Sequence, residues 1–133
     1  MANTLYDKGR EAFLGGDISW DTDNIKCALI STSGYTVDLS AHEFYTDLGG
    51  IVSTSSNLTN KTITAGVADA DDVILAAVIG RSCEVIVLFQ DTGNPATSKL
   101  IAYINIATGL PVVPNGGAIT IQWDNGINKI FKL

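Results

Sequence analysis

Histidine, cysteine and basic residues are scarce in this chain of 133 residues, and each shortage excludes a class of function. The sequence has one histidine, two cysteines and eight lysines and arginines, against fourteen aspartates and glutamates. A single histidine cannot supply a His-x-x-x-His metal site, and Cys27 and Cys83 form no Cys-x-x-Cys pair. The net charge of −6, with no basic cluster, argues against direct contact with nucleic acid because an acidic surface repels the phosphate backbone.

Long hydrophobic runs are missing as well. The longest covers residues 73–79, which is far shorter than the ~18 to 20 apolar residues that cross a bilayer as a helix. The first residues, Met1 to Lys8, are polar and lack the apolar segment of a signal peptide. We therefore expect neither a signal peptide nor a membrane partner.

Sequence elements that carry catalysis are also missing. There is no Gly-x-Ser-x-Gly elbow and no phosphate-binding Gly-x-x-x-x-Gly-Lys loop. His42 lies next to Glu43 in a segment that reads as a helix, so we expect it on the helix surface. The sequence therefore predicts that the chain is not an enzyme, and we assign no catalytic or cofactor-binding residue.

Two acidic loops have the oxygen ligands that hard cations prefer. One contains Asp17, Asp21 and Asp23, and the other contains Asp69, Asp71 and Asp72. Neither has the glycine and distal glutamate of an EF-hand, so we expect solvated carboxylates and assign no metal ligand. A small metal-dependent hydrolase or lyase that uses the second loop is the remote alternative.

The composition, 46 % hydrophobic and 17 % charged, is typical of a folded chain long enough to bury one core. We expect a single domain over residues 1–133, with an N-terminal helix at about 4–14 and a β core at about 25–133. About seven short strands and two short helices are predicted, without strand–helix alternation. This pattern favours a mainly β fold, an antiparallel β-sandwich or open barrel.

Alternation of apolar and polar residues identifies the core strands. Along residues 83–90 we expect Cys83, Val85, Val87 and Phe89 inward, and Glu84 and Gln90 outward. The predicted core residues are Leu29, Val85, Val87, Phe89, Ile104, Ile121 and Trp123. Cys27 and Cys83 are expected to be buried free thiols, with a disulfide as the alternative.

Pairing and capping are predicted from local signals. A turn-rich loop at 91–95 predicts a hairpin between residues 83–90 and 99–106, and residues 62–65 could pair with 73–79.

Asn3 or Thr4 is the expected cap of the first helix, with an apolar stripe of Leu5, Phe13 and Leu14. The Ser-x-x-Glu spacing of Ser40 and Glu43 predicts a capping box for a second helix at 40–48. Residues 129–133 are expected to form a terminal strand.

Charge is unevenly distributed. Residues 38–72 hold six acidic residues and one basic residue, whereas residues 73–133 hold three acidic and four basic residues. We therefore expect the middle third of the chain to form an acidic surface.

Several short stretches are turn and core signatures without any catalytic motif. They include Leu110-Pro111-Val112-Val113-Pro114-Asn115-Gly116-Gly117, Trp123-Asp124-Asn125-Gly126, and residues 1–11, 25–29, 41–44, 60–62, 68–73, 91–93 and 100–104. Together they resemble a family of small virion structural proteins encoded by tailed bacteriophages, and the resemblance covers nearly the whole chain.

The resemblance implies a virion component without enzymatic activity, made in the host bacterial cytoplasm. Within the virion it implies a capsid cement or decoration protein, a homo-oligomer that binds the major capsid protein. The acidic segment 38–72 favours the outer capsid surface, since packaged DNA would repel it. Residues 1–14, the loop around Asn94 and Pro95, and residues 111–117 are the expected contacts. A head–tail connector, neck or tail-tube subunit is the open alternative.

Overall fold

A computed structural model of the chain describes residues 4–106, 109–123 and 129–132. These residues form antiparallel strands and one α-helix, which confirms the mainly β prediction. In chain order the elements are β1 (Thr4–Leu5), α1 (Asp7–Gly15), β2 (Ile25–Ile30), β3 (Ile51–Thr54), β4 (Thr62–Thr64), β5 (Val67–Asp69), β6 (Val73–Leu75), β7 (Val85–Gln90), β8 (Leu100–Ile104), β9 (Ile119–Ile121) and β10 (Phe131–Lys132).

The largest sheet has the strand order β1-β8-β7-β2-β3. Strand β7 pairs with β2 on one side and with β8 on the other, which confirms the hairpin predicted across the 91–98 loop. All seven predicted core residues are buried. The sequence therefore identified the central strands correctly.

Both faces of this sheet are covered, by two separate apolar clusters. Cluster 1 includes Cys27, Leu29, Ile86 and Leu88, whereas cluster 2 includes Ala28, Ile30, Val85 and Val87. Because successive strand residues point to opposite faces, the two clusters lie on opposite sides of the sheet. The prediction that Gln90 faces outward was wrong, since all six residues of β7 are buried.

The smaller sheets have the orders β10-β5-β4 and β6-β9. The predicted pairing of residues 62–65 with 73–79 was wrong, because β4 pairs with β5 and β6 pairs with β9. Ala65 and Gly66 both have positive φ, at 52° and 78°, as a two-residue hairpin turn requires. This turn joins neighbouring segments of the chain at a small cost in loop entropy. Within the described residues β4 pairs on one side only, and its partner on that side is β5.

Helix α1 begins later than predicted. Thr4 and Leu5 pair with Tyr103 and Ala102 of β8, so these residues extend a sheet instead of starting a helix. The residue before the helix is Tyr6, which makes no side-chain cap, and Asn3 lies outside the described residues. Gly16 ends the helix in the left-handed conformation, as the Gly15-Gly16 doublet predicts. Among the described residues, no helix is long and apolar enough to span a membrane.

The predicted second helix at 40–48 is only a 3-10 turn, Tyr45–Asp47. The hydroxyl of Ser40 donates to Asp38 Oδ1 at 2.9 Å and so does not cap a helix. Instead, Val37, Leu39, Tyr45 and Leu48 pack on cluster 2. The N–H groups of Ser40 and Ala41 both donate to Asp38 Oδ1 at 3.1 Å, so the Asp38 carboxylate forms a turn where the helix was predicted to begin.

Candidate interaction surfaces

The loop between β7 and β8, residues 91–98, is held by its own hydrogen bonds. Ser98 is buried, and its hydroxyl donates to the carbonyl of Asn94 at 2.9 Å and accepts from the Thr92 N–H at 3.0 Å. The Ala96 N–H donates to Asn94 Oδ1 at 3.0 Å, and the Gly93 N–H donates to Asp91 Oδ1 at 3.0 Å. The exposed residues 92–97 are therefore presented on a preordered loop, which reduces the entropy lost on binding.

A shallow cleft of about 190 Å³ lies beside this loop. Its lining includes the rings of Tyr45 and Phe89, whose centroids are 4.8 Å apart, and an ion pair in which Lys26 Nζ lies 2.8 Å from Asp91 Oδ2. Ligand pockets usually measure roughly 300 to 1,000 Å³. The cleft therefore suits one side chain of a protein partner better than a cofactor.

The positive charge of Lys26 and the negative charge of Asp91 compensate each other in the cleft. The ion pair with Lys26, helped by the Gly93 N–H, lowers the pKa of Asp91. Burial and the nearby Asp91 carboxylate raise the pKa of Tyr45. At neutral pH the cleft therefore holds one compensated ion pair and a neutral phenol.

The predicted contact at 111–117 belongs to a two-stranded ribbon that we define as residues 73–83 and 112–121. Its strands β6 and β9 are extended by hydrogen bonds between Val78 and residues 116–117 and by an isolated bridge between Cys83 and Val112. Val73, Leu75, Val78 and Ile121 are buried in cluster 1. The opposite side of the ribbon leaves Ile74, Ile79 and Val113 exposed.

The third predicted contact, residues 1–14, is only partly available. Leu5 and Tyr6 are buried, and residues 1–3 lie outside the described part of the chain. The predicted apolar stripe was wrong for Leu14, which is 89 % exposed. The buried residues of α1 are Gly9 and Ala12, because the helix lies against the backbone of β8.

These candidate surfaces do not come together. The 91–98 loop follows Gln90 at one end of β7, whereas the ribbon bridges Cys83 just beyond the other end. Six extended residues separate the ends by roughly 20 Å. The chain therefore has two separate exposed surfaces joined by one buried strand.

His42 lies in a turn and not on a helix surface, and it ends a chain of hydrogen bonds. The N–H of Asp38 donates to His42 Nδ1 at 3.2 Å, so this nitrogen is an acceptor. The Tyr35 hydroxyl therefore donates to the same nitrogen at 2.8 Å, and the Tyr6 hydroxyl donates to Tyr35 at 2.9 Å. Burial raises the pKa of Tyr6, and it raises the pKa of Tyr35 to about 12. No sequence signal identified this group, because Tyr6 is far from Tyr35 and His42 in the chain.

The carboxylates of the two acidic loops make structural contacts. Asp23 accepts hydrogen bonds from the Ser19 N–H and the Gln90 amide, and Asp72 accepts one from the Trp123 N–H. Asp69 pairs with Lys129 at 3.3 Å. Within residues 4–106, 109–123 and 129–132, no three histidine, cysteine, aspartate or glutamate residues are grouped to hold a metal ion.

The expected single acidic surface is divided in two. Asp38 and Asp47 lie within the segment that covers cluster 2, whereas Asp71 and Asp72 follow Ala70 of cluster 1. Because the clusters lie on opposite faces of the large sheet, the acidic residues of the middle third do not form one patch.

Cys27 and Cys83 are buried free thiols, as expected, and no disulfide joins them. Burial raises the pKa of Cys27 to about 11 and also raises that of Cys83. Both thiols are therefore protonated and unreactive at neutral pH.

Comparison with known proteins identifies no relative. No model of a known protein family matches the chain, and a search of curated proteins gives no match.

Proposed function

We propose that this chain is a capsid cement protein of a tailed bacteriophage, which binds the major capsid protein on the outer surface and stabilises the shell. The observation that carries the proposal is the position of two exposed surfaces at opposite ends of β7, the 91–98 loop and the ribbon. A protein that bridges neighbours needs two separate contacts on a stiff body. A strand with all six residues buried supplies that stiffness.

The 91–98 loop is the proposed capsid contact. It is exposed, preordered by its own hydrogen bonds, and adjacent to a cleft that fits one partner side chain. The resemblance to phage virion proteins includes residues 91–93 of this loop and supports the same conclusion.

We also propose that the three sheets are arranged as a sandwich. Buried residues of β5, β6 and β9, namely Ala68, Leu75 and Ile121, belong to the same cluster as Leu29 and Leu88 of the large sheet. A shared core between sheets is the defining feature of that architecture.

The test uses particles of the phage whose genome encodes the chain, prepared with and without its gene. A ligand that binds only the assembled shell stabilises it by mass action. Particles without the chain are therefore expected to release DNA at a lower temperature, and added purified protein should restore the release temperature. Equal stability, or only a few copies at the tail vertex, would contradict the proposal and favour the connector alternative.

The contact itself is tested with one exposed loop residue. Ala96→Arg adds a large cation to the loop without removing the hydrogen bonds of its backbone, and it should abolish the rescue. Ile63→Arg adds the same cation at an exposed position of β4, which is not part of the loop, and should rescue fully. Full rescue by Ala96→Arg would exclude the loop as the capsid contact.

A further inference from the structure

The ribbon contains an asparagine that is followed directly by a glycine. These two residues, Asn115 and Gly116, are both exposed. In such a dipeptide the backbone nitrogen of the second residue can attack the side-chain amide carbon of the asparagine and close a five-membered imide ring. Glycine in the second position favours the attack because it has no Cβ to hinder the close approach. The dipeptide is therefore a candidate site of covalent modification.

The reaction is a deamidation that needs water and no other reagent. A bond forms between Asn115 Cγ and the Gly116 nitrogen, the bond from Cγ to Nδ2 breaks, and ammonia leaves with the proton of the Gly116 N–H. Water then hydrolyses the imide. Cleavage between Cγ and the nitrogen gives aspartate, whereas cleavage between the main-chain carbonyl carbon and the nitrogen gives isoaspartate. Each product carries one new carboxyl group.

In the folded protein both reacting groups are held by hydrogen bonds. The Gly116 N–H donates to the carbonyl of Val78 at 2.8 Å, and Asn115 Oδ1 accepts from the Gly117 N–H at 2.9 Å. The Gly116 nitrogen attacks only after it has lost its proton, and a hydrogen-bonded amide gives up its proton to solvent only when that bond opens. Val78 is 2 % exposed and belongs to cluster 1, so the strand that holds Gly116 is anchored in the core.

We propose that Asn115 is a deamidation site that is closed while the ribbon is paired and becomes reactive when this end of the ribbon opens. The proposal does not depend on the proposed function. Residues 109–123 contain no charged side chain, so deamidation places the first negative charge in this stretch.

The two products have different consequences for the ribbon. Aspartate at position 115 keeps an oxygen that can accept from the Gly117 N–H, so the ribbon can close again. Isoaspartate inserts one additional CH₂ group into the main chain before Gly116. The Gly116 N–H is then out of register with the Val78 carbonyl, and this end of the ribbon should stay open.

The test compares the native full chain with the chain unfolded in guanidinium, both in mildly alkaline buffer. Tandem mass spectrometry follows residue 115 separately from Asn125, which also precedes a glycine but lies outside the described residues. Deamidation at position 115 should be slower in the native chain by roughly tenfold or more. Guanidinium concentrations below the unfolding transition should speed deamidation of Asn115 and hydrogen exchange of the Gly116 amide by the same factor. Equal rates in the native and unfolded chains would overturn the proposal, and so would deamidation that does not follow the exchange.

Two variants test whether the core anchor of the ribbon is the gate. Val78→Ala removes buried contacts with cluster 1 and should speed native deamidation several-fold, without changing the rate in the unfolded chain. Ile74→Ala, at a position of β6 that is 60 % exposed, should leave the native rate unchanged. Asn115→Gln should abolish the mass change at this position. Equal native rates in Val78→Ala and the wild type would contradict the gate, and the wild-type comparison of deamidation with hydrogen exchange decides the matter if Val78→Ala does not fold.

Discussion

The hydroxyl oxygens of Tyr6 and Tyr35 lie 2.9 Å apart in the interior and connect two segments that are far apart in the chain. Tyr6 is fully buried between β1 and α1, and Tyr35 begins the segment that covers cluster 2. The N–H of Asp7 donates to the carbonyl of Leu39 at 2.8 Å and strengthens the same connection. The N-terminal segment and the covering segment therefore stabilise each other.

Removal of the Tyr35 hydroxyl should cost more than removal of the Tyr6 hydroxyl. Tyr35→Phe leaves the buried Tyr6 hydroxyl without a partner and should lower the free energy of unfolding by about 1 to 3 kcal/mol. Tyr6→Phe leaves Tyr35 bonded to His42 and should cost about 0.5 to 1.5 kcal/mol. Urea unfolding measures both, and the double variant should cost less than the sum. An additive double variant would contradict the coupling.

A methyl group at Gly9 should destabilise the protein although alanine favours helices. The added Cβ would lie 2.6 Å from the carbonyl oxygen of Leu100 and 3.1 Å from that of Ile101, so α1 would have to move off β8. We expect Gly9→Ala to cost about 1 to 3 kcal/mol, as overpacking does. Gly15→Ala is the matched control, because its Cβ would meet nothing closer than 3.8 Å. It should be neutral or stabilise by up to about 1 kcal/mol, through the higher helix propensity of alanine. Thermal melting of the two variants in the reverse order would disprove this packing.

The C-terminal strand is expected to contribute to stability through Phe131. Its ring packs edge-on against Trp20 at 5.2 Å and lies 6.0 Å from Phe13, and its backbone pairs with Ala68. Phe131→Ala should cost about 2 kcal/mol for the loss of a half-buried aromatic side chain. Lys132→Ala, at the exposed neighbouring position, should leave the urea midpoint unchanged. Deletion of residues 129–133 should cost more than Phe131→Ala, since it also removes the Lys129–Asp69 pair. An unchanged midpoint on deletion would show that the strand is dispensable.

Stability should fall on acidification partly because of Asp91. The ion pair with Lys26 holds the pKa of this carboxyl below its ordinary value in the folded protein. A carboxyl with a lowered folded pKa binds protons more readily when the chain unfolds, so its contribution is complete above the unfolded value near 4 and disappears as the pH falls through the folded value. The difference in urea midpoint between pH 7 and pH 3 should therefore be smaller in Asp91→Asn than in the wild type. An equal difference would mean that this pair does not couple stability to pH.

Much of the fold follows from local patterns in the sequence. Alternation identified Val85, Val87 and Phe89 as core positions of β7 and Ile121 as a core position of β9, but it missed the buried Ile86 and Leu88 on the other face of β7. The turn residues at 91–95 identified the hairpin that joins β7 to β8. Burial of Cys27 and Cys83 followed from the same alternation. These features could be predicted from the sequence because strand periodicity and turn formation depend on residues within a few positions of each other.

Features that depend on distant partners were missed. Residues 4 and 5 were predicted to be helical, but they form a strand that pairs with β8. The spacing of Ser40 and Glu43 predicted a helix cap, but the segment packs on cluster 2 without forming that helix. The Tyr6–Tyr35–His42 chain and the position of the two exposed surfaces at opposite ends of β7 have no local signature at all.

The sequence by itself determined a mainly β chain, its central strands and its buried thiols. Only the tertiary structure decided which strands pair, that both faces of the large sheet are covered, and that residues 73–83 join residues 112–121 with Ile74, Ile79 and Val113 exposed. The reason is physical: side-chain period and charge are properties of short segments, whereas strand partners and burial are chosen by competition among all segments of the folded chain.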